Sequence, residues 1–130
     1  MPKRAKERET LEEILISCSD TIFPEELGAA PVTLNSRDVD GDTPLHVLLW
    51  RKNTYGALLL IEAGADVNAV GDMSETPLHI AVKAQDVTVI GALLKAGANV
   101  SFVSEFGQSP LDLAKDAGGD IKRVFLQSRP

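Results

Sequence analysis

Thr43-Pro44-Leu45-His46 returns unchanged 33 residues later as Thr76-Pro77-Leu78-His79, and again in altered form as Ser109-Pro110-Leu111-Asp112. A second segment keeps the same step, Ala63-Gly64-Ala65-Asp66-Val67-Asn68 being echoed by Ala96-Gly97-Ala98-Asn99-Val100-Ser101. This period is too long for a heptad and too short for a domain, so it marks one supersecondary unit copied along the chain. A unit of this size cannot bury an apolar face alone. The copies must therefore stack into an array in which each touches only its neighbours.

Each complete copy reads the same way. A turn comes first, around Gly41 or Ser74. Thr43 or Thr76 then caps a short helix that has proline at its first position. A second helix is expected over roughly 54–62 and 87–95, stopped by Gly64 or Gly97 in left-handed backbone. The last copy repeats the scheme with Gly107, Pro110 and a helix near 120–127. Helices this short are marginal alone, since isolated ones need about 12–15 residues. Leu45, Leu48, Leu60 and Ile61, with their equivalents Leu78, Ala81, Leu93 and Leu94, form the expected core; Leu111, Ala114 and Val124 extend it. Gly56 and Gly91 lie inside the second helices at about 1 kcal/mol each against alanine, and are read as close-packing positions.

Upstream, Thr10 with Glu13 fits a capping box, and Leu11, Ile14, Leu15 and Cys18 fall on one helical face. A second short helix is expected from Pro24, with Glu25 and Glu26 in its first turn, to near Gly28. A shift of 33 brings Thr10 onto Thr43, Leu34 onto Val67 and Asn35 onto Asn68. Residues of about 9–37 thus read as a worn copy capping the array, terminal copies being atypical because one side meets water. Full copies at about 38–70 and 71–103 follow, then a terminal copy at about 104–130. Residues 1–8 read as a flexible basic tail.

The formal net charge is −6, and because the first eight residues carry +3, the remainder holds −9. Such a surface repels phosphate backbones and anionic lipid and steers in basic partners. Cys18 is the only cysteine, which excludes an internal disulfide. No apolar stretch follows the basic N-terminal cluster, so no secretory signal is expected, and a reducing, cytoplasmic compartment is the expected location.

The period, the Gly-x-Thr-Pro-Leu-His turn at 41–46 and the Gly-Ala-Asp-Val-Asn close at 64–68 resemble the ankyrin repeat family over about 40–130, with the worn copy extending the likeness back to about residue 8. The resemblance implies an all-α, L-shaped solenoid of stacked antiparallel helix pairs with β-hairpin-like fingers: about two full repeats between degenerate N- and C-terminal capping repeats. It also implies a protein-binding role without catalysis. Three positions depart from the pattern. Ser74 replaces the finger glycine of the second repeat, Lys52 and Gln85 replace the glycine between helices, and Asp112 stands in place of histidine.

The chemistry-bearing residues fit scaffold better than catalysis. His46 and His79 occupy the same place in adjacent copies, and packed helices lie about 8–10 Å apart. A zinc ion needs each nitrogen at about 2.0–2.1 Å, so one metal cannot reach both; in the family this histidine bonds backbone of the neighbouring turn. Asp38-Val39-Asp40-Gly41-Asp42 starts like a calcium loop, but the pattern's sixth and twelfth positions are Thr43 and Leu49. Asn99-Val100-Ser101 fits a glycosylation acceptor, a role that needs a secretory route. No phosphate loop, nucleophile elbow or zinc-protease motif is present, and neither an enzyme nor a cofactor is expected.

A monomeric, non-catalytic module gripping one protein partner is therefore the expectation. Its concave face would carry an acidic rim of Asp40, Asp42, Asp72, Glu75 and Glu105 around the anchors Trp50, Met73 and Phe106. Arg51 and Lys83 would supply positive contacts. A narrower reading makes the chain an inhibitor or immunity protein that neutralises a partner enzyme or toxin.

Overall fold

The computed structural model describes residues 9–26 and 30–127. Thr10 opens the first helix, α1 (Leu11–Ile16), with the expected reciprocal cap: its N–H donates to Glu13 Oε1 at 2.8 Å and its Oγ1 accepts from the Glu13 N–H at 3.2 Å. Ile14 and Cys18 are buried, and Leu11 and Leu15 pack against the core. The second cap helix differs from expectation. A single helical turn, α2 (Ser19–Ile22), comes first, and Pro24–Glu26 forms only a 3-10 turn. Phe23 separates them at φ −130° and ψ 70°, because a residue before proline is pushed out of the helical region. The expected end at Gly28 and the basic tail of residues 1–8 lie outside the described residues.

Three helix pairs follow. Their first helices are α3 (Pro44–Trp50), α5 (Pro77–Lys83) and α7 (Pro110–Ala117); their second helices are α4 (Thr54–Glu62), α6 (Val87–Lys95) and α8 (Gly119–Gln127). In each first helix an extended Thr or Ser caps and proline takes the first helical position, where its missing N–H costs nothing. Asn53 and Asp86 cap α4 and α6 by accepting from Gly56 N–H at 2.9 Å and Val89 N–H at 3.1 Å. Gly64 and Gly97, at φ 101° and 96°, turn the chain out of those helices as expected. Lys52 and Gln85 keep the left-handed bend at φ 61° and 58° without glycine.

The first helices pack in one row, α3 on α5 on α7, and the second helices in another, α4 on α6 on α8, with α1 against α4. Leu45, Leu48, Leu60, Leu78, Ala81, Ile90, Leu93 and Ala114 are buried between the rows, and Ile121 and Phe125 close the last pair. Ile61, Leu94, Leu111 and Val124 are only partly buried at its margin. Each fully buried Leu or Ile stabilises the stack by about 1.5–3 kcal/mol, which is what holds helices too short to stand alone.

One packing expectation fails. A Cβ on Gly91 would meet nothing within 4 Å, so that glycine faces open space. A Cβ on Gly56 would come within 2.9 Å of the Asn53 carboxamide, so that glycine does sit at a close approach.

Candidate interaction surface

The repeats are tied by their histidines. His46 Nδ1 accepts from the Thr43 N–H at 3.1 Å, which leaves Nε2–H to donate to the Glu75 carbonyl at 3.0 Å. His79 repeats the arrangement with Thr76 and with the Gln108 carbonyl at 2.9 Å. Burial holds the His46 imidazole below its ordinary range, so it stays neutral in its place. At Asp112 the carboxylate keeps the capping role, accepting from Ser109 N–H at 3.0 Å while Ser109 Oγ accepts from Asp112 N–H at 3.1 Å. A carboxylate has no proton to donate to a further turn, so the tie stops here.

The base of each finger is closed by a backbone bond at the same register: Asp38 N–H to Asp42 O, Gly71 N–H to Glu75 O and Ser104 N–H to Gln108 O, each at 2.9 Å. In the first finger the Asp38 carboxylate accepts from the N–H groups of both Asp40 and Asp42, so it serves its own turn. In the second finger Met73 and Ser74 both adopt left-handed backbone, at φ 58° and 59°. Adjacent fingers are joined as well. Asp72 N–H donates to Asp42 Oδ1 at 2.9 Å, Arg37 donates to the Val70 carbonyl at 3.0 Å, and Glu105 N–H donates to the Met73 carbonyl at 3.0 Å.

These contacts run through most of the residues singled out from sequence. Asp42, Asp72, Met73, Glu105, Phe106, Lys83 and Glu75 form one connected string across three fingers and α5. Glu75, expected on the rim, is instead 3 % exposed and ion-paired with Lys83, whose Nζ lies 4.9 Å from the centre of the Phe106 ring. Asp42 is half-buried in the finger joint, and that burial raises its carboxyl above the ordinary value. The 33-residue register explains the contrast. Position 75 faces the cation Lys83 in its own copy, whereas the equivalent of Lys83 beside Asp42 is Trp50, so Asp42 turns to the backbone of the next finger.

Arg51 is likewise engaged inside the molecule. It donates to the Ser17 carbonyl at 3.1 Å and to Thr21 Oγ1 at 2.9 Å, and pairs with Asp20 at 3.3 Å, holding the cap to α3. Asp40, Asp72 and Glu105 are exposed, and among the described residues no cation pairs with them. Trp50 is 53 % exposed at the end of α3, Phe106 is 59 % exposed at its fingertip, and Met73 is also exposed. Val39 stands outside the expected anchors, yet it is the most exposed large apolar residue described, at 93 %. Its signal was its register with Asp72 and Glu105. On the other row, α4 and α6 border an open apolar groove of about 560 Å³ lined by Tyr55, Leu58, Leu59 and Ala92, with Glu62 and Lys95 at its margin.

Among the described residues no group of three or more His, Cys, Asp or Glu side chains is placed to hold a metal ion, and no helix is long and apolar enough to cross a membrane. Two family models match the chain: one for the ankyrin repeat over residues 40–72, and one for ankyrin repeats in many copies over residues 60–114. No curated protein matches it. The two matches together run from residue 40 to residue 114, from the first finger through both histidine ties into α7, and the chain belongs to the ankyrin repeat family.

Proposed function

We propose that this chain is a monomeric, non-catalytic binding protein whose fingers and first helices grip one protein partner with a basic surface. Ankyrin repeats are in general protein–protein interaction modules. The observation that carries the specific reading is the imbalance on the fingers. Among the described residues no cation pairs with Asp40, Asp72 or Glu105, and Trp50, Met73 and Phe106 are exposed, while Arg51 and Lys83 already have partners within the chain. Exposed large apolar residues rimmed by charge support a docking role, and aromatic anchors supply most of the energy of such contacts. Unpaired carboxylates at the rim chiefly speed and orient encounter with a cationic surface.

The test uses wild-type protein and the Trp50→Ala/Phe106→Ala variant as bait on the same lysate, followed by titration of the captured protein. Loss of both anchors is expected to weaken binding by at least about 2 kcal/mol, near 30-fold. Association with wild type should also slow as ionic strength rises. Equal affinity for both baits assigns the wrong surface, and a loss confined to Lys95→Glu moves the interface to the α4–α6 groove. The inhibitor reading adds one requirement, loss of the partner's own activity on binding, read in the same titration.

A further inference from the structure

We propose that Lys83 is a positioning residue: its ammonium, anchored on the Glu75 carboxylate, holds the Phe106 ring in the orientation in which the third finger presents it to a protein partner. This rests on the reading of the finger surface given above and goes one step further. The Lys83 charge is matched by Glu75, so the site is expected to favour cationic and apolar groups over acidic ones.

The backbone beneath Phe106 is already fixed. Its N–H donates to Ser104 Oγ at 3.2 Å, Gly107 N–H closes on the Ser104 carbonyl at 2.9 Å, and Glu105 N–H is tied to the second finger through the Met73 carbonyl at 3.0 Å. What remains free is the ring itself, more than half exposed on a fingertip. An ammonium within about 6 Å of a ring centre is attracted to its face, and Lys83 Nζ meets that condition at 4.9 Å. The lysine is itself held from below, because Glu75 is buried and Lys83 is its ion-pair partner. The order of support is thus buried carboxylate, ammonium, exposed ring. The equivalent pair one repeat earlier is Trp50 and Met73, two apolar residues with Asp42 turned away to the Asp72 backbone. Only the second pair contains a cation, and it is the one backed by a buried acid.

An anchor held in its bound orientation loses less freedom on docking, an effect of about 0.5–1.5 kcal/mol per side chain, or about two- to tenfold in affinity. Removing Lys83 alone would strand the buried carboxylate. The informative variant is therefore Lys83→Met/Glu75→Gln, with Lys83→Arg as the conservative change and thermal melting as the check on folding.

Two readouts are needed. In the free protein, NMR should place the Lys83 ε-methylene protons upfield of their position in Phe106→Leu. For binding, the probes are short random peptides displayed on phage and selected on wild-type protein. They should bind Lys83→Met/Glu75→Gln two- to tenfold more weakly, Lys83→Arg about as well as wild type, and Phe106→Ala least. Unshifted Lys83 protons overturn the proposal. So does wild-type affinity in Lys83→Met/Glu75→Gln when Phe106→Ala has lost the peptides; that outcome keeps Phe106 as an anchor and removes Lys83 from its support. Peptides that bind Phe106→Ala as well as wild type sink the finger-surface reading and this proposal together.

Discussion

His46 Nε2 donates to the carbonyl oxygen of Glu75, 29 residues ahead and in the next finger, at 3.0 Å. The same ring accepts from the Thr43 N–H at the start of its own helix. One neutral imidazole thus caps one repeat and ties it to the next, which requires a group with an acceptor and a donor on opposite edges. Neutral histidine has both, and Asp112, in the last repeat, has only the acceptor. In both Thr-Pro-Leu-His copies, 43–46 and 76–79, the histidine makes this bond to the following finger.

Stability should fall as the pH drops below about 6.5. Burial is the main cause of the lowered His46 value, so the unfolded chain takes up a proton on this imidazole, from the ordinary 6.5 downward, before the folded one does. The unfolded state binds more protons in that window, and stability is lost there by at most about 1.4 kcal/mol per pH unit for one group. Asp42, in the same joint, acts with opposite sign. Its folded value is raised from 3.8, chiefly by burial, so in the window just above 3.8 it takes its proton more readily when folded and offsets part of the loss. Urea midpoints between pH 7.5 and 4 measure the profile. His46→Asn should flatten the onset near 6.5 and lower stability at pH 7.5; an unchanged profile would clear His46 of the effect.

Gly91→Ala should stabilise the protein by about 0.5–1 kcal/mol. The residue lies inside α6 and its added methyl meets nothing, so the variant gains helix propensity without a clash. Gly56→Ala should show no such gain. Its methyl would press on the Asn53 carboxamide at 2.9 Å, and loss of that cap costs about 1 kcal/mol, cancelling the propensity term. Thermal melts of the two variants side by side decide it, and a Gly56→Ala protein as stable as Gly91→Ala would show that the cap survives.

The 33-residue register makes the array, the helix starts at Pro44, Pro77 and Pro110 and the ends at Gly64 and Gly97 readable, because each depends on residues within one turn of each other. Burial of Glu75 is hidden, since its partner Lys83 stands at the far end of α5 and only the folded helix brings the ammonium back. The duty of Arg51 is hidden for a related reason: its partners Ser17, Asp20 and Thr21 lie 30–34 residues upstream, in the copy most worn in sequence. Gly91 misleads because a glycine in a helix signals either close approach or mere tolerance, and periodicity does not separate the two.

Lys52→Gly and Gln85→Gly should each raise stability by about 0.5–1 kcal/mol. Both residues sit at the bend between paired helices in left-handed backbone. A side chain there costs about 1–2 kcal/mol, of which glycine's extra freedom in the unfolded chain returns about half. Chemical denaturation checks this through the midpoint, with an unchanged slope. A loss on Lys52→Gly would mean that its side chain makes a compensating contact.

Gly71→Ala should weaken the joint between the first and second repeats by about 1–3 kcal/mol. The reason is steric and not conformational. Gly71 has φ −110° and ψ −151°, extended backbone open to other residues. Its added Cβ, however, would collide with Asp42 Oδ1 and come 2.8 Å from His46 Nε2, the two groups that reach across to the next finger. Either the carboxylate gives up the Asp72 N–H or the imidazole loses the Glu75 carbonyl. A double-mutant cycle with Asp42→Ala separates these routes. If the carboxylate is the obstacle, Asp42→Ala should be less harmful beside Gly71→Ala than alone, a coupling of about 0.5–3 kcal/mol. Strict additivity would place the strain on His46 instead.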